Sequence, residues 1–250
     1  LVFAVCMSAE AADEMSLMKF KATNSCEGCD LSNADLSGAN LFSAKLKDAD
    51  LSGANLSGAK LDSADLTNAN LDSANLDSAN LEGATLWKAN LSGANLYDAN
   101  LEGANLHSTN LTNADLYIAN LTNADLTNAK LDSANLYDAN LEGAKLYIAN
   151  LTNADLKNAK LDSAKLKNAT LYRADLTNAK LYRANLTKAN LTQANLEGAK
   201  LYRANLTQAN LEGANLTNVD LSSAILTNIN LNNAKFCKTT LPWGKDNSGC

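Results

Sequence analysis

What this sequence has little of narrows it quickly. One proline, Pro242, stands among 250 residues, and it lies beyond the regular part of the chain. Aromatic residues make up 5% of the total, and the single histidine is His107. An ordinary globular core mixes Val, Ile, Phe and Met with Leu. Here nearly all the apolar content is Leu and Ala, as the interior of a monotonous repeat array requires. No apolar stretch is long enough to span a bilayer as a helix. No catalytic constellation is legible: His107 stands beside Ser108 without a base-orienting partner, so no enzyme activity, substrate or cofactor is expected. Charge is also modest, with a net of −6, which serves solubility.

What is present is one pattern. From Leu31 to Leu231 every fifth residue is leucine, without exception. Two positions before each leucine stands a small residue, almost always alanine, the departures being Cys29, Thr109, Val219 and Ile229. A five-residue period suits neither regular element. On a helix five steps turn about 500°, which scatters the leucines. On a flat strand an odd period throws them to alternate faces. The inward spacing instead alternates two and three (Ala34, Leu36, Ala39, Leu41), so each repeat is a short extended side followed by a bend. The phase of the second residue after leucine carries ten of the twelve glycines, Gly28 after Cys26 among them, with Asn, Asp and Ser at most other copies, the residues that tolerate positive φ in turns.

A lone repeat cannot fold. Fixing five residues costs about 5–10 kcal/mol of backbone entropy, whereas one buried Leu returns roughly 1.5–3 kcal/mol. Stacked repeats add hydrogen bonds and dispersion between layers. Asn and Asp before each leucine are read as solvated turn residues whose amides can also bond neighbouring coils. The many Asn-Leu-Thr and Asn-Leu-Ser sequons arise from the repeat itself and carry no weight.

The ends are different. Residues 1–11 resemble the remnant of a secretory signal peptide ending in Ala9-Glu10-Ala11, with cleavage expected after Ala11. Residues 12–25 form an expected N-terminal capping segment with helical character, Met15, Leu17, Met18 and Phe20 lying over the open first coil. The array spans 26–236, and 237–250 is an expected C-terminal cap tail. With Cys6 removed, Cys26, Cys29, Cys237 and Cys250 lie in two local pairs at opposite ends of the array and are disulfide candidates. For Cys26 and Cys29, a CxxC, a redox pair and a metal site stay open as alternatives. Charge is unevenly spread: residues 12–130 carry a net of −9 and 131–250 a net of +4. This is either drift among solvated positions or the mark of an acidic partner for the basic half or of end-to-end self-association.

The consensus A(D/N)LXX, as in Ala34-Asp35-Leu36-Ser37-Gly38, resembles the pentapeptide repeat family. The resemblance implies an all-β fold, a right-handed quadrilateral β-helix of about ten coils, four repeats and twenty residues to each. Both ends, around Cys26-Glu27-Gly28-Cys29 and Cys237 to Cys250, resemble exported cyanobacterial members, which implies the periplasm or thylakoid lumen. Twenty-residue coils would stack Tyr97, Tyr117 and Tyr137 in an external ladder, Tyr182-Arg183 over Tyr202-Arg203, and Trp87 over His107. The tyrosines and Tyr-Arg pairs are candidate interaction surfaces. The expected function is a non-catalytic structural or protein-interaction rod in an exported compartment, its protein partner unknown, with no metal, cofactor or membrane span and nucleic acid not expected as a partner. The alternative is the DNA mimicry by which some family members bind DNA gyrase, against which the weak net charge and signal peptide both argue.

Overall fold

A computed structural model describes the backbone of residues 14–250 and the side chains of residues 16–250. The expected signal-peptide remnant, 1–11, lies outside the described residues, as does the side chain of Met15. Helix α1, Glu14–Thr23, opens the described chain, and a hairpin of β1, Thr239–Leu241, with β2, Gly244–Asp246, lies near its other end. Between them each repeat contributes one bridging residue and one turn.

The bridging residue is the Asn or Asp slot. Every such position from Ser25 to Asp220 pairs in parallel with the residue twenty further on, as Asp30 does with Asp50. That offset closes a coil after four repeats. The extended side is thereby reduced to a single bridge per repeat, shorter than a conventional strand. The turn runs from Leu to Ala, with the Ala34 N–H donating to the Leu31 carbonyl at 3.1 Å. Its second corner residue takes positive φ in every copy but Ser223, whether Gly38 (61°), Asn113 (58°) or Ile118 (54°). This is the type II pattern, in which only the third residue needs the left-handed region.

The backbone amides of the inner coils are accounted for in one recurring way, broken at Leu201 and at Arg203, whose amide turns to Ser223 Oγ. The Leu31 N–H donates to the Asp50 carbonyl, and the Asn33 N–H to the Ser52 carbonyl. The Asp50 N–H donates back to the Cys29 carbonyl. The first corner residue donates to the preceding Asn or Asp side chain, as the Ser32 N–H does to Asp30 Oδ1 at 2.9 Å. That same oxygen commonly receives an amide from the next coil: Asn70 Nδ2 donates to Asp50, Asn90 to Asn70, and Asn110 to Asn90 at 2.8 Å. The Asn slot therefore closes a turn and ties two layers at once.

Leucines and alanines from Leu31 to Leu221 fill the interior almost completely. Thr109 takes an alanine slot, and its hydroxyl donates to the Leu86 carbonyl at 2.7 Å. Thr239 does the same to Leu216 at 2.8 Å. A hydroxyl fits inside because a turn carbonyl of the coil before lies within reach. Helix α1 covers the first coil with Phe20 (1% exposed) and Leu17, which lie three residues apart on one helical face. Met18 does not share that face and is 66% exposed, which corrects the expectation that it covers the coil. The disulfide Cys26–Cys29, with Cα atoms 5.3 Å apart, lies in the first coil, and Cys237–Cys250, at 4.7 Å, ties down the tail.

Candidate interaction surface

With the interior filled, variety is confined to the two corner residues that follow each leucine. Tyr97, Tyr117 and Tyr137 occupy the first corner position of three successive coils. Their amides are set by one device, each donating at 3.1 Å to the side-chain oxygen of Asn95, Asp115 or Asn135. The rings consequently stack, with centroids 5.5 and 5.4 Å apart and planes tilted by 35° and 42°. A groove of about 400 Å³ runs beside Tyr117 and Tyr137, lined also by Ser133, Asn135, Asn153 and Asp155. Lys157 is next in the column. Its ammonium lies 3.0 Å from Asp155 and 3.4 Å from Asp175, and the hydrogen bond to Asp155 leads in holding it above the usual lysine value.

Tyr182, Arg183, Tyr202 and Arg203 lie on the next corner around the coil, in different layers, and are not brought to the ladder. Arg203 lies over its own neighbour Tyr202 at 5.2 Å. The Tyr182 amide donates to Asp162 Oδ1 and the Arg203 amide to Ser223 Oγ. A third pair, Tyr172 and Arg173, was not singled out from the sequence although the same dipeptide marks it. There Arg173 lies 4.9 Å over the ring, and Gln193 Oε1 accepts from both Tyr172 Oη (3.2 Å) and Arg173 Nε (2.7 Å). Trp87 shares a column with His107 but takes Lys88 Nζ over its ring, at 4.4 Å.

Sequence reading also missed an acidic column. The twenty-residue register aligns Asp62, Glu82, Glu102, Glu142 and Asp162 along one corner. Burial, together with repulsion from Glu142, pushes the Asp162 carboxyl above the ordinary carboxylate value, although the Tyr182 amide pulls it down. The spacing of twenty was the available signal. Among the described residues no group of three or more His, Cys, Asp or Glu side chains is disposed to hold a metal ion. No helix among them is long and apolar enough to cross a membrane.

Comparison with known proteins agrees with this geometry. No curated protein sequence matches the chain significantly. Among solved structures, HetL, a pentapeptide repeat protein involved in heterocyst differentiation regulation in the cyanobacterium Nostoc sp. strain PCC 7120, is 33% identical. The match covers 91% of this chain and 96% of HetL with a TM-score of 0.51. QnrB1, a plasmid-mediated fluoroquinolone resistance protein, is 20% identical over 70% of this chain and 88% of its own, with a TM-score of 0.52, and so speaks to the fold alone. A pentapeptide repeat protein of the Arabidopsis thaliana thylakoid lumen is 34% identical over 44% of this chain and 66% of its own. Its TM-score of 0.27 supports no argument from its structure. The sequence profile of pentapeptide repeats matches in eight copies distributed over 25–147 and 149–244. A leucine at every fifth position, a coil closed by four repeats and this match lead to one conclusion: the chain belongs to the pentapeptide repeat family.

Proposed function

We propose that this protein is a non-catalytic interaction rod of an exported compartment, periplasm or thylakoid lumen, which presents side chains at fixed spacing to a protein partner. The tyrosine ladder carries this reading. Three rings aimed by identical turns form a rigid external strip, and rigid tyrosines supply contact area at little entropic cost. The two disulfides favour an oxidising compartment. The Leu and Ala interior is fully packed and serves the fold.

The test is affinity capture from the native compartment with the whole rod and with a variant carrying Tyr97→Ser, Tyr117→Ser and Tyr137→Ser. Loss of specific partners from the variant is expected, and identical partner sets would sink the tyrosine strip. Free thiols at Cys26 and Cys29 in native material, read by mass spectrometry without reduction, would count against export. Inhibition of gyrase supercoiling by the rod would favour the DNA-mimic alternative instead.

A further inference from the structure

Three rings of this rod carry a cation of their own, and the three ladder rings do not. Trp87, Tyr172 and Tyr202 each hold a cation supplied by the very next residue, Lys88, Arg173 or Arg203, at 4.4 to 5.2 Å. The ladder tyrosines are instead followed by Asp98, Ile118 and Asp138. No cation lies over their rings among the described residues. Their planes are tilted by 35° and 42°, so neighbouring rings do not fully cover each other's faces. Such a face carries partial negative charge and attracts a cation.

Charge around the ladder has the matching sign. The register puts residues 72–83, 92–103, 112–123 and 132–143 on two adjacent sides of the rod that meet at the ladder corner. Those residues include nine carboxylates and not one lysine or arginine. The opposite sides of the same coils hold Lys88, Lys130 and Lys145. Lys157, the one cation in the ladder's column, is clasped by Asp155 and Asp175. An ammonium is thus already accommodated by carboxylates at the ladder's edge.

We propose that the ladder corner docks an extended, lysine- or arginine-rich polypeptide segment. Its cations lie against the free faces of Tyr97, Tyr117 and Tyr137 and pair with Asp98 and Asp138, while its aliphatic stems rest on Ile118. The span of the rings, with steps of 5.5 and 5.4 Å, corresponds to about three residues of extended chain at ~3.3 Å each. Nucleic acid and anionic lipid are repelled by the same carboxylates. The proposal rests on the interaction-rod reading and adds the partner's chemistry to it.

The probe is a dye-labelled peptide of about ten residues, ~33 Å when extended, with arginine alternating with serine. Its anisotropy is followed on addition of the whole, disulfide-bonded protein, with a glutamate-for-arginine peptide as counterpart. The arginine peptide should bind and the glutamate peptide should not. Tyr97→Leu with Tyr117→Leu and Tyr137→Leu keeps apolar area and charge but removes the π faces, and should weaken binding roughly tenfold or more. Asp98→Asn with Asp138→Asn should weaken it and flatten its salt dependence. Tyr172→Leu with Tyr202→Leu, whose rings are already covered, should leave it unchanged. Far-UV melting curves establish that each variant is folded. No binding by the wild type at low salt overturns the proposal, as does equal binding by the ladder variant, which would mean charge alone. If native capture through the ladder yields a neutral or acidic partner, the cationic assignment falls and the interaction rod stands. If neither peptide nor native partner binds, both fall.

Discussion

The coil around Leu131 and the coil around Leu231 carry the same sequence pattern and do not have the same structure. Leu131 is fully buried, and its amide donates to the Asn150 carbonyl at 2.7 Å. Leu231 and its neighbours Leu226 and Ile229 are only partly buried. The amides of Leu226 and Leu231 donate to nothing among the described residues. The later coil is covered on one side only, where Thr240 of β1 pairs with Asp220 and the Leu221 amide donates to the Thr240 carbonyl. The stability of a repeat here is therefore mostly a property of its neighbours, as in other stacked arrays.

Three measurements would break or sharpen that comparison. The largest effect is expected from leucine truncation. Leu131→Ala opens a sealed cavity and should cost about 3–4 kcal/mol, whereas Leu231→Ala, at a site only partly buried, should cost about 1 kcal/mol. Urea melts of the two variants decide it, and equal losses would mean that the later coil is as well sealed as the middle one.

Next come the turn slots. Ile148 is held at a φ of 52° in a middle coil, while Asn228 fills the same slot of the later coil at 53°. A β-branched side chain pays about 1–2 kcal/mol in this region, and packed coils on both sides can impose that strain. Ile148→Asn should stabilise the rod by about 1 kcal/mol. An unchanged melting midpoint would show that the isoleucine is not strained.

The smallest effect concerns two carboxylates. Hydrogen bonds from the Ser222 hydroxyl and amide hold Asp220 below the ordinary value, while burial leads in raising Asp162. The Asp220 contribution is present above the unfolded-state pKa and is lost as pH falls through the lowered folded value. Asp162 has the opposite sign: its ionised form costs stability at neutral pH, and that cost disappears as pH falls through the raised folded value. Asp162→Asn should therefore raise the melting temperature at pH 7, by less than about 1 kcal/mol equivalent given solvent screening, with the gain shrinking towards acid. A gain constant across pH would assign the effect to something other than ionisation.

Much of the fold was legible because the pattern is local and repeated. Leucine and alanine phases named nearly every interior residue, and glycine and asparagine marked the turn that needs positive φ. The cap was legible only in part: Phe20 covers the first coil, but the pattern did not separate it from Met18, since α1 fixes its facing by helical geometry against one particular coil. Of the candidate surface, the ladder could be read by counting in twenties. The acidic column could have been read in the same way, and the Tyr172 and Arg173 pair from its dipeptide. That Tyr202 is covered by its own arginine while the ladder tyrosines carry no cation required side-chain positions.

The sequence by itself determined which residues face in, where the chain bends and what is left to face solvent, because alternating two- and three-residue steps and turn chemistry act within a few residues. It did not, from its period alone, determine how many repeats close a coil. That is settled by the parallel bridges from each residue to the one twenty further on. Only the closed coil makes one asparagine oxygen serve two layers, gives Thr109 a carbonyl to bond, and sets the carboxylates of four coils around one tyrosine corner. Each of these joins residues about twenty apart in sequence, and stacking is what brings them together.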